Sequence, residues 1–171
     1  RMLEKMNRKY DSATYLERID KIREIIPDAA ITTDIIAGFC SETEEDHQAT
    51  IELMKNVKFD SAFMFQYSQR PNTKAARHFE DDVPLETKTR RLNEIIELQS
   101  AISLERNKDC IGKIYEVLIE GTSKRDSDQL FGRTLGNKVC VFSAPGYKAG
   151  DYAKVKVESC TSATLIATLI E

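Results

Sequence analysis

Cysteine and histidine are the residue types of this chain that could hold a metal ion or supply a nucleophile and its base. The two histidines, His47 and His78, have no Cys, Ser or carboxylate partner that the sequence places beside them. Metal sites and hydrolytic triads require such clusters. No metal site and no catalytic residue is therefore predicted, and the cysteines are interpreted as reduced, structural thiols. The four cysteines are separated by 70, 30 and 20 residues without a C-x-x-C pair, and they are Cys40, Cys110, Cys140 and Cys160.

Basic residues near turns form a second group with possible chemistry. The chain has a net charge of -3, but residues 1–111 carry 17 basic and 21 acidic side chains, whereas residues 112–171 carry 8 and 7. Any RNA contact must therefore come from a local patch. Asn137 could contact a base edge or simply turn a hairpin. The candidate phosphate-binding residues are Lys124, Arg125, Arg133 and Lys138.

Two apolar segments end in residues suited to a ligand. Residues 33–46 read TDIIAGFCSETEED, in which Ile36 offers an apolar edge to a purine and Gly38 permits close backbone approach. Residues 63–76 read FMFQYSQRPNTKAA. Here Arg70 could pair with a phosphate or a carboxylate. Ligands of α/β sheets lie beyond the carboxyl ends of strands, which favours this position for Tyr67 as well.

Each segment also has a plainer interpretation. The first is equally a strand-turn-helix junction, and Phe63, Phe65 and Tyr67 alternate as core residues do. Four loop charges are usually a solvated surface. The acidic pair Asp81 and Asp82 is interpreted as helix-start charge favoured by the dipole, not as a general acid and base.

The elements that must position these residues follow from apolar periodicity. Leu16, Ile19 and Ile22 recur at three and four residues, which predicts an amphipathic helix that begins after Asp11 or Ser12 and ends at Pro27. Nearly continuous apolar runs at 29–39 and 61–67 predict strands buried on both faces of a parallel sheet. The order helix, strand, helix, strand is typical of α/β proteins.

Between and after these strands the pattern is helical. Ser41 and Glu44 form an S-x-x-E capping box for a helix. A loop is predicted at 68–82, and a long helix begins near Pro84. Each helix has an apolar stripe, and charges lie opposite the stripe of the long helix. The stripes comprise His47, Ile51, Met54 and Val57 in the first helix, and Leu92, Ile95, Ile96, Gln99 and Ile102 in the second.

The period changes to two after Gly112, which indicates short strands separated by glycine-containing turns. Five strands in about 60 residues favour a small OB-like barrel. No apolar run approaches the roughly 20 residues of a membrane span. The predicted strands are 114–120, 129–134, 138–142, 152–159 and 164–170.

Four segments resemble motifs of radical-SAM tRNA methylthiotransferases of the MiaB type. Residues 34–46 are similar to D-I-I-V-G-F-P-G-E-T-x-E-D, with Cys40 and Ser41 in place of Pro and Gly. Residues 63–76 resemble F-x-Y-S-x-R-P-G-T-x-A-A, with Asn72 in place of Gly; Asn tolerates positive φ, so a turn there could survive. The most specific match, at 118–142, resembles a TRAM domain written V-E-G-x-S-[RK]-[RK] and G-R-T-x-x-N-[KR]-V-V-x-F. Residues 3–10 are similar to the family's L-x-x-M-x-R-x-Y, which includes Arg8.

The resemblance implies an α/β fold followed by a small all-β barrel. Residues 1–82 would be the C-terminal part of a radical-SAM partial (β/α) barrel, 83–108 a linking helix, and 109–171 an RNA-binding TRAM β-barrel. The chain opens without an initiator Met and enters an α/β unit midway, which indicates a fragment. Its missing partner would be the N-terminal part of the enzyme. A cytoplasmic protein without membrane contact is expected.

The implied activity is methylthiolation of an isopentenylated adenosine beside the tRNA anticodon. Such enzymes use two 4Fe-4S clusters and S-adenosylmethionine, and the radical cluster sits on C-x-x-x-C-x-x-C, which this chain lacks. The fragment alone is therefore expected to be inactive. The resemblance makes Ile36, Gly38, Phe65 and Tyr67 cofactor-binding candidates. The residues expected to bind the anticodon stem-loop are Lys124, Arg125, Arg133, Asn137, Lys138 and Arg70.

Two alternatives remain open from the sequence. The chain could be a non-catalytic RNA-binding module, in which the barrel holds RNA and the α/β part is a platform. It could also belong to a methylthiotransferase that acts on threonylcarbamoyl-adenosine tRNA or on a ribosomal protein, although the G-R-T and N-K-V runs favour the first substrate.

Overall fold

The computed structural model describes residues 1–170. The chain forms two compact units, the first Arg1–Gln99 and the second beginning at Ser100. Within the described range, no helix is both long and apolar enough to cross a membrane. The elements in chain order are α1 (Met2–Lys5), α2 (Ser12–Ile25), β1 (Thr32–Ala37), α3 (Glu44–Val57), β2 (Ser61–Gln66), α4 (Lys74–His78), α5 (Leu85–Lys108), β3 (Ile114–Thr122), β4 (Leu130–Thr134), β5 (Val139–Phe142), β6 (Tyr152–Cys160) and β7 (Leu165–Leu169).

The predicted first long helix is confirmed as α2. The Asp11 carboxylate accepts a hydrogen bond from the Thr14 amide at 2.8 Å and so caps its first turn. The helix ends at Ile25, two residues before Pro27, as expected where proline cannot continue the helical hydrogen bonds. Of the apolar stripe, however, only Ile19 is fully buried.

Strands β1 and β2 form a parallel pair, in register from Thr32 opposite Ser61 to Ala37 opposite Gln66. The α/β arrangement expected for this part is thus confirmed. The prediction that both strands are buried on both faces is wrong. Ile36, Phe63 and Phe65 are 43%, 64% and 58% exposed, because no described element covers this face of the sheet. The core interpretation of Phe63 and Phe65 is therefore wrong too, whereas Tyr67 is buried.

Helix α3 begins at a different cap from the predicted one. The capping box consists of Thr43 and Asp46, not Ser41 and Glu44. The Thr43 hydroxyl accepts from the Asp46 amide, and the Asp46 carboxylate accepts from the Thr43 amide. Two residues before the box, Ser41 has a φ of +60° and lies in the preceding turn. The predicted buried face is confirmed, since His47, Ile51, Met54 and Val57 are all buried.

The predicted loop at 68–82 contains a short helix, α4, which Thr73 caps by accepting from the Ala76 amide. Helix α5 follows as expected, but its buried face differs from the apolar stripe. Lys88 and Arg91 are each only 4% exposed, whereas Ile96 of the stripe is exposed. Apolar periodicity could not predict this, because a charged residue is buried only when it is paired, and the pairing depends on the fold.

The five predicted strands of the second unit are confirmed as β3 to β7. They close into a barrel with the strand order β3-β4-β5-β7-β6, which is antiparallel except between β5 and β7. Alternate side chains point inward and form one apolar core. The core is centred on Val117, Ile119, Cys140, Phe142, Val155, Val157 and Leu165.

Gly132 permits the close approach of β4 to β3. A Cβ atom at this position would lie 2.2 Å from the Leu118 carbonyl oxygen and 2.7 Å from a methyl group of Val117. The neighbouring strand leaves no room for it, and the β3 register shifts close by, between Ile119 and Gly121. The glycine of the G-R-T run is therefore a requirement of barrel closure.

Candidate functional site

Of the four predicted cofactor residues, Ile36 and Phe65 lie next to each other and are exposed to solvent. They are register partners on β1 and β2, and both side chains lie on the exposed sheet face. Phe63 continues this apolar strip along β2. An exposed aliphatic and aromatic pair of this kind offers a flat apolar contact to a planar ligand.

Gly38 and Tyr67, the other two cofactor candidates, are buried with Lys88. Gly38 has a φ of +73°, and a Cβ there would lie 2.3 Å from Cγ of Lys88. The Lys88 ammonium lies 5.2 Å from the Tyr67 ring centroid, forms an ion pair with Asp81 and donates to the Tyr67 carbonyl at 3.4 Å. The space beside Gly38 therefore holds a side chain of the protein itself.

The Tyr67 ring belongs to a small aromatic cluster. Its centroid lies 5.0 Å from that of Phe39 in an edge-to-face arrangement, and Phe39 also meets Phe79 at 6.1 Å. Within residues 1–170 the Tyr67 hydroxyl has no hydrogen bond of ordinary geometry. Burial raises the pKa of this hydroxyl to about 12, and the neighbouring Cys40 thiol adds to the shift.

A buried ion pair holds the turn between β1 and α3. Arg91 Nη1 donates to Oε1 of Glu42 and to the Glu42 carbonyl oxygen, both at 3.0 Å. The same Oε1 accepts from the Gly38 amide at 3.0 Å. The side chains of Arg91 and Glu42 are only 5% and 6% exposed. Because water cannot replace these contacts, the pair fixes the backbone from Gly38 to Glu42.

A more exposed network surrounds this pair. Arg90 donates to Glu44 at 2.7 Å and to Glu94 at 2.6 Å, and its hydrogen bond is the main reason why the pKa of Glu44 falls to about 2. The sequence places no carboxylate beside His47, and the fold supplies one. His47 Nε2 lies 2.7 Å from Oε2 of Glu94, which is 47 residues away in sequence. That contact is the main cause of the lowered pKa of Glu94.

The acidic pair before α5 has specific partners in addition to any helix-start role. Asp81 forms the ion pair with Lys88, and Asp82 accepts from the Ser41 amide at 2.6 Å. Both carboxylates therefore stabilise the segments that surround the turn after β1.

Arg8 and Arg70 are exposed, and neither has an ion-pair partner among residues 1–170. Asn72 has a φ of +68°, as expected for the residue that replaces a turn glycine. The turn that presents Arg70 therefore forms without glycine, and the Arg70 carbonyl accepts from the Thr73 hydroxyl at 2.9 Å.

In the second unit, Lys124 and Arg125 lie in the connection between β3 and β4. Both are exposed, and the described part of the chain offers no ion-pair partner to either. The connection is held by its backbone. The Ser123 amide donates to the Gln129 carbonyl at 2.8 Å, and the Asp128 amide donates to the Asp126 carboxylate at 3.0 Å. Two cations are therefore presented to solvent on a closed loop.

Arg133 and Asn137 are brought together at the β4–β5 hairpin. Arg133 Nη1 donates to the carbonyl and to Oδ1 of Asn137 at 3.2 and 3.1 Å, and its Nε lies 3.2 Å from Glu120. Asn137 has a φ of +61°, and its amide donates to the Thr134 carbonyl. The hairpin-turning interpretation of Asn137 is thus correct, and Arg133 contributes to the same turn.

Lys138 is tied to the end of α5. Its Nζ donates to Oδ1 of Asn107 at 2.9 Å, and the Asn107 amide group donates to the carbonyls of Thr161 and Ser162. Asn107 is 5% exposed. Its amide thereby links the last turn of α5 to two strand connections of the barrel.

The four cysteines are free thiols, and three of them are buried. Burial raises the pKa of Cys140 to about 12, which keeps this core thiol protonated at neutral pH. In the part of the chain that the structure describes, no three Cys, His, Asp or Glu side chains are grouped so that they could hold a metal ion.

Sequence reasoning missed the buried partners Lys88, Arg91 and Asn107. Lys88 and Arg91 lie three residues apart, a spacing that places them on one helix face. That spacing was the available signal. It was not decisive, because paired charges on a helix are more often solvated.

Comparison with known proteins identifies the second unit. Residues 108–170 match the TRAM domain family. This match covers all five strands of the closed barrel. The proposed RNA-binding positions Lys124 and Arg125 lie within it.

Relatives match almost the whole chain. A tRNA-2-methylthio-N(6)-dimethylallyladenosine synthase from Bacteroides thetaiotaomicron is 56% identical over 165 residues, which are 96% of this chain and 36% of the synthase. Synthases of the same name from Parabacteroides distasonis and Porphyromonas gingivalis are 54% and 53% identical over 171 residues. The chain is homologous to a segment of these synthases and contains a TRAM domain. It spans about 36% to 37% of the length of these relatives.

Proposed function

We propose that this chain is the tRNA-binding part of a tRNA methylthiotransferase that acts on dimethylallyladenosine beside the anticodon. The observation that carries the proposal is the β3–β4 loop of the TRAM barrel. Lys124 and Arg125 are exposed there without a carboxylate partner in residues 1–170, on a barrel whose family match covers the whole loop. Such cations gain free energy from RNA phosphates by releasing counterions.

The other proposed RNA contacts would play different parts. Arg133 and Lys138 already have hydrogen-bond partners within the second unit. They would therefore orient the hairpin and add to the positive electrostatic potential more than they would contact RNA phosphates directly. Asn137 would shape the same hairpin. Arg70 is exposed beyond β2 and would be the contact from the first unit.

The complete enzyme is proposed to use S-adenosylmethionine and 4Fe-4S clusters. The clusters do not fit the residues of this chain, because its thiols are separated and no group of three metal ligands exists between residues 1 and 170. The exposed pair Ile36 and Phe65 fits one face of an adenine ring. S-adenosylmethionine would supply the methyl group. Gly38 and Tyr67, buried beside Lys88, would hold the shape of this edge.

The names of the relatives favour dimethylallyladenosine over the other substrates that the sequence left open. The alternative function is that of a non-catalytic RNA-binding module. The complete reading frame distinguishes the two, because an upstream C-x-x-x-C-x-x-C would support the enzyme. Both versions place the RNA on the TRAM barrel and inside the cell.

The test is a titration of an anticodon stem-loop RNA against the chain at several salt concentrations. We expect Lys124→Ala and Arg125→Ala each to weaken binding and to lower the slope of log K against log salt by about one. Arg133→Ala should lower affinity less, because Glu120 already neutralises part of its charge.

Matched controls come from helix α2. Arg18 and Lys21 are exposed basic residues of the first unit, and their Ala variants should leave affinity and slope unchanged. Absence of stem-loop binding by the unmodified chain would refute the proposed function. If Arg70→Ala were the only variant to lose binding, the RNA would bind at the edge of the β1–β2 sheet and not at the barrel loop.

A further inference from the structure

The outer face of the TRAM barrel carries a second set of exposed residues. Along β6, Tyr152, Lys154 and Lys156 alternate with the core residues Ala153 and Val155. Residues two apart on a strand point to the same side, about 7 Å apart. The three side chains therefore form one outward row, and Tyr152 is 63% exposed.

The neighbouring strands extend this row into a surface, which we call the β6 face. Tyr152 is the register partner of Leu118, which in turn is opposite Arg133. Lys154 and Lys156 lie opposite Glu116 and Ile114. The remaining members come from the end of the chain. The β6 face comprises Arg133, Leu118, Tyr152, Glu116, Lys154, Ile170, Ile114, Lys156, Thr168 and Glu158.

The β6 face carries charges of both signs. Glu116 lies opposite Lys154, and Glu158 follows Lys156 on the same side of β6, yet neither lysine has an ion-pair partner in the described residues. Arg133 is paired with Glu120, outside the face. Leu118, Ile114 and Ile170 are 38%, 60% and 41% exposed. The face therefore combines an aromatic ring and apolar patches with two available cations.

This combination fits unpaired nucleotides. A base can stack on an exposed aromatic ring, whereas neighbouring cations neutralise the backbone phosphates. A paired stem hides its bases and offers only phosphates to the same surface. The barrel interior is filled by side chains, so a ligand of this unit must bind outside. The Arg133–Leu118–Tyr152 row also connects the β6 face to the β4–β5 hairpin.

We propose that the β6 face binds unpaired RNA nucleotides, with Tyr152 stacking on a base and with Lys154 and Lys156 contacting the adjoining phosphates. The proposal rests on the proposed function and adds a single-strand site to the loop that holds Lys124 and Arg125. A flexible loop next to a paired stem is the chemical class of RNA that could engage both sets of residues.

The test compares a stem-loop RNA with a blunt duplex of the same stem sequence. We expect Tyr152→Ala to weaken stem-loop binding about tenfold, the lower part of the range for loss of one stacked base, and to leave duplex binding nearly unchanged. Lys154→Ala should weaken both and lower the salt slope by about one. Since Tyr152 is exposed, the Ala variant should fold, and its circular dichroism spectrum checks this.

A conservative variant provides a direct signal. The chain contains no tryptophan, so Tyr152→Trp adds a single indole that should restore affinity and be quenched when the stem-loop binds. Ile25→Trp, at a position 77% exposed on α2, is the matched reporter in the other unit and should not be quenched.

The outcomes separate the two proposals. If the unmodified chain binds the stem-loop and Tyr152→Ala binds equally well, the β6 face proposal is wrong and the loop proposal survives. If Tyr152→Ala alters self-association instead of RNA affinity, the face is a protein interface and the proposal is overturned. If neither the unmodified chain nor any variant binds RNA, both proposals fail.

Discussion

Three basic side chains in the first turns of helix α5 and the two of the β3–β4 loop have opposite surroundings. Lys88, Arg90 and Arg91 each lie against at least one carboxylate, and two of the three are buried. Lys124 and Arg125 are exposed, with no such partner in residues 1–170. Internal partners make a cation part of the fold, whereas a cation without one is available to an external anion. Residue type alone does not distinguish these roles.

The largest expected difference concerns Arg91. Replacing it with Met leaves the Glu42 carboxylate buried and uncompensated, which should lower the free energy of unfolding by about 3–5 kcal/mol. Denaturant titration of the whole chain, followed by circular dichroism, measures this. The double variant Arg91→Met, Glu42→Gln removes both charges and should recover much of the loss.

The control for Arg91 is its neighbour Arg90, whose side chain is 46% exposed. Arg90→Met should cost no more than about 1 kcal/mol, as is typical of surface ion pairs. Equal losses in the two variants would contradict the distinction between buried and exposed partners on α5.

An intermediate effect is expected from pH. The Arg90 guanidinium lowers the pKa of Glu44 to about 2 in the folded chain, below its usual value of about 4.5. This contribution to stability is present above pH 4.5 and is lost as the pH falls towards 2. Glu44→Gln should therefore flatten the fall in melting temperature across that window.

The comparison for Glu44 is Glu86→Gln, which removes an exposed carboxylate of α5 that has no ion pair in the described residues. Melting curves recorded from pH 6 to pH 2 should keep their original slope in this variant. A Glu44→Gln profile that matches the unmodified chain would exclude the Arg90 pair as a source of acid sensitivity.

The smallest effect on stability is expected at the loop. The double variant Lys124→Ala, Arg125→Ala removes no ion pair or side-chain hydrogen bond among residues 1–170, so its free energy of unfolding should stay within about 0.5 kcal/mol of the unmodified value. Thermal denaturation provides the measurement, and RNA titration on the same sample shows whether affinity falls. Destabilisation of the barrel would show that these cations have a structural role.

The barrel strands were predictable because their information is local. Apolar alternation and glycine-containing turns located all five strands, and the structure moves their ends by at most two residues. Helix α2 and its Asp11 cap were likewise found from short-range signals. The short helix α4 was missed, since five residues carry too little periodicity to distinguish a helix from a loop.

The burial of the first unit was less predictable. Apolar runs at β1 and β2 suggested two covered faces, yet Ile36 and Phe65 lie on an open one. The Glu94 partner of His47 and the Glu42 partner of Arg91 are each more than 40 residues away in sequence. Such pairs depend on how α3 and α5 meet, which no local pattern encodes.

The sequence by itself determined the element order, the closed β-barrel and the family motifs, because hydrophobic period, turn residues and short motifs act over a few residues. Only the tertiary structure decided which charges are available. In the folded chain, Arg133 pairs with Glu120 and Arg91 pairs with Glu42, and Lys138 donates a hydrogen bond to Asn107. The tertiary structure also aligned Tyr152 with two lysines and Leu118 on one outer face. The physical reason is that the availability of a charge depends on neighbours in space, and chain folding brings these together from distant positions.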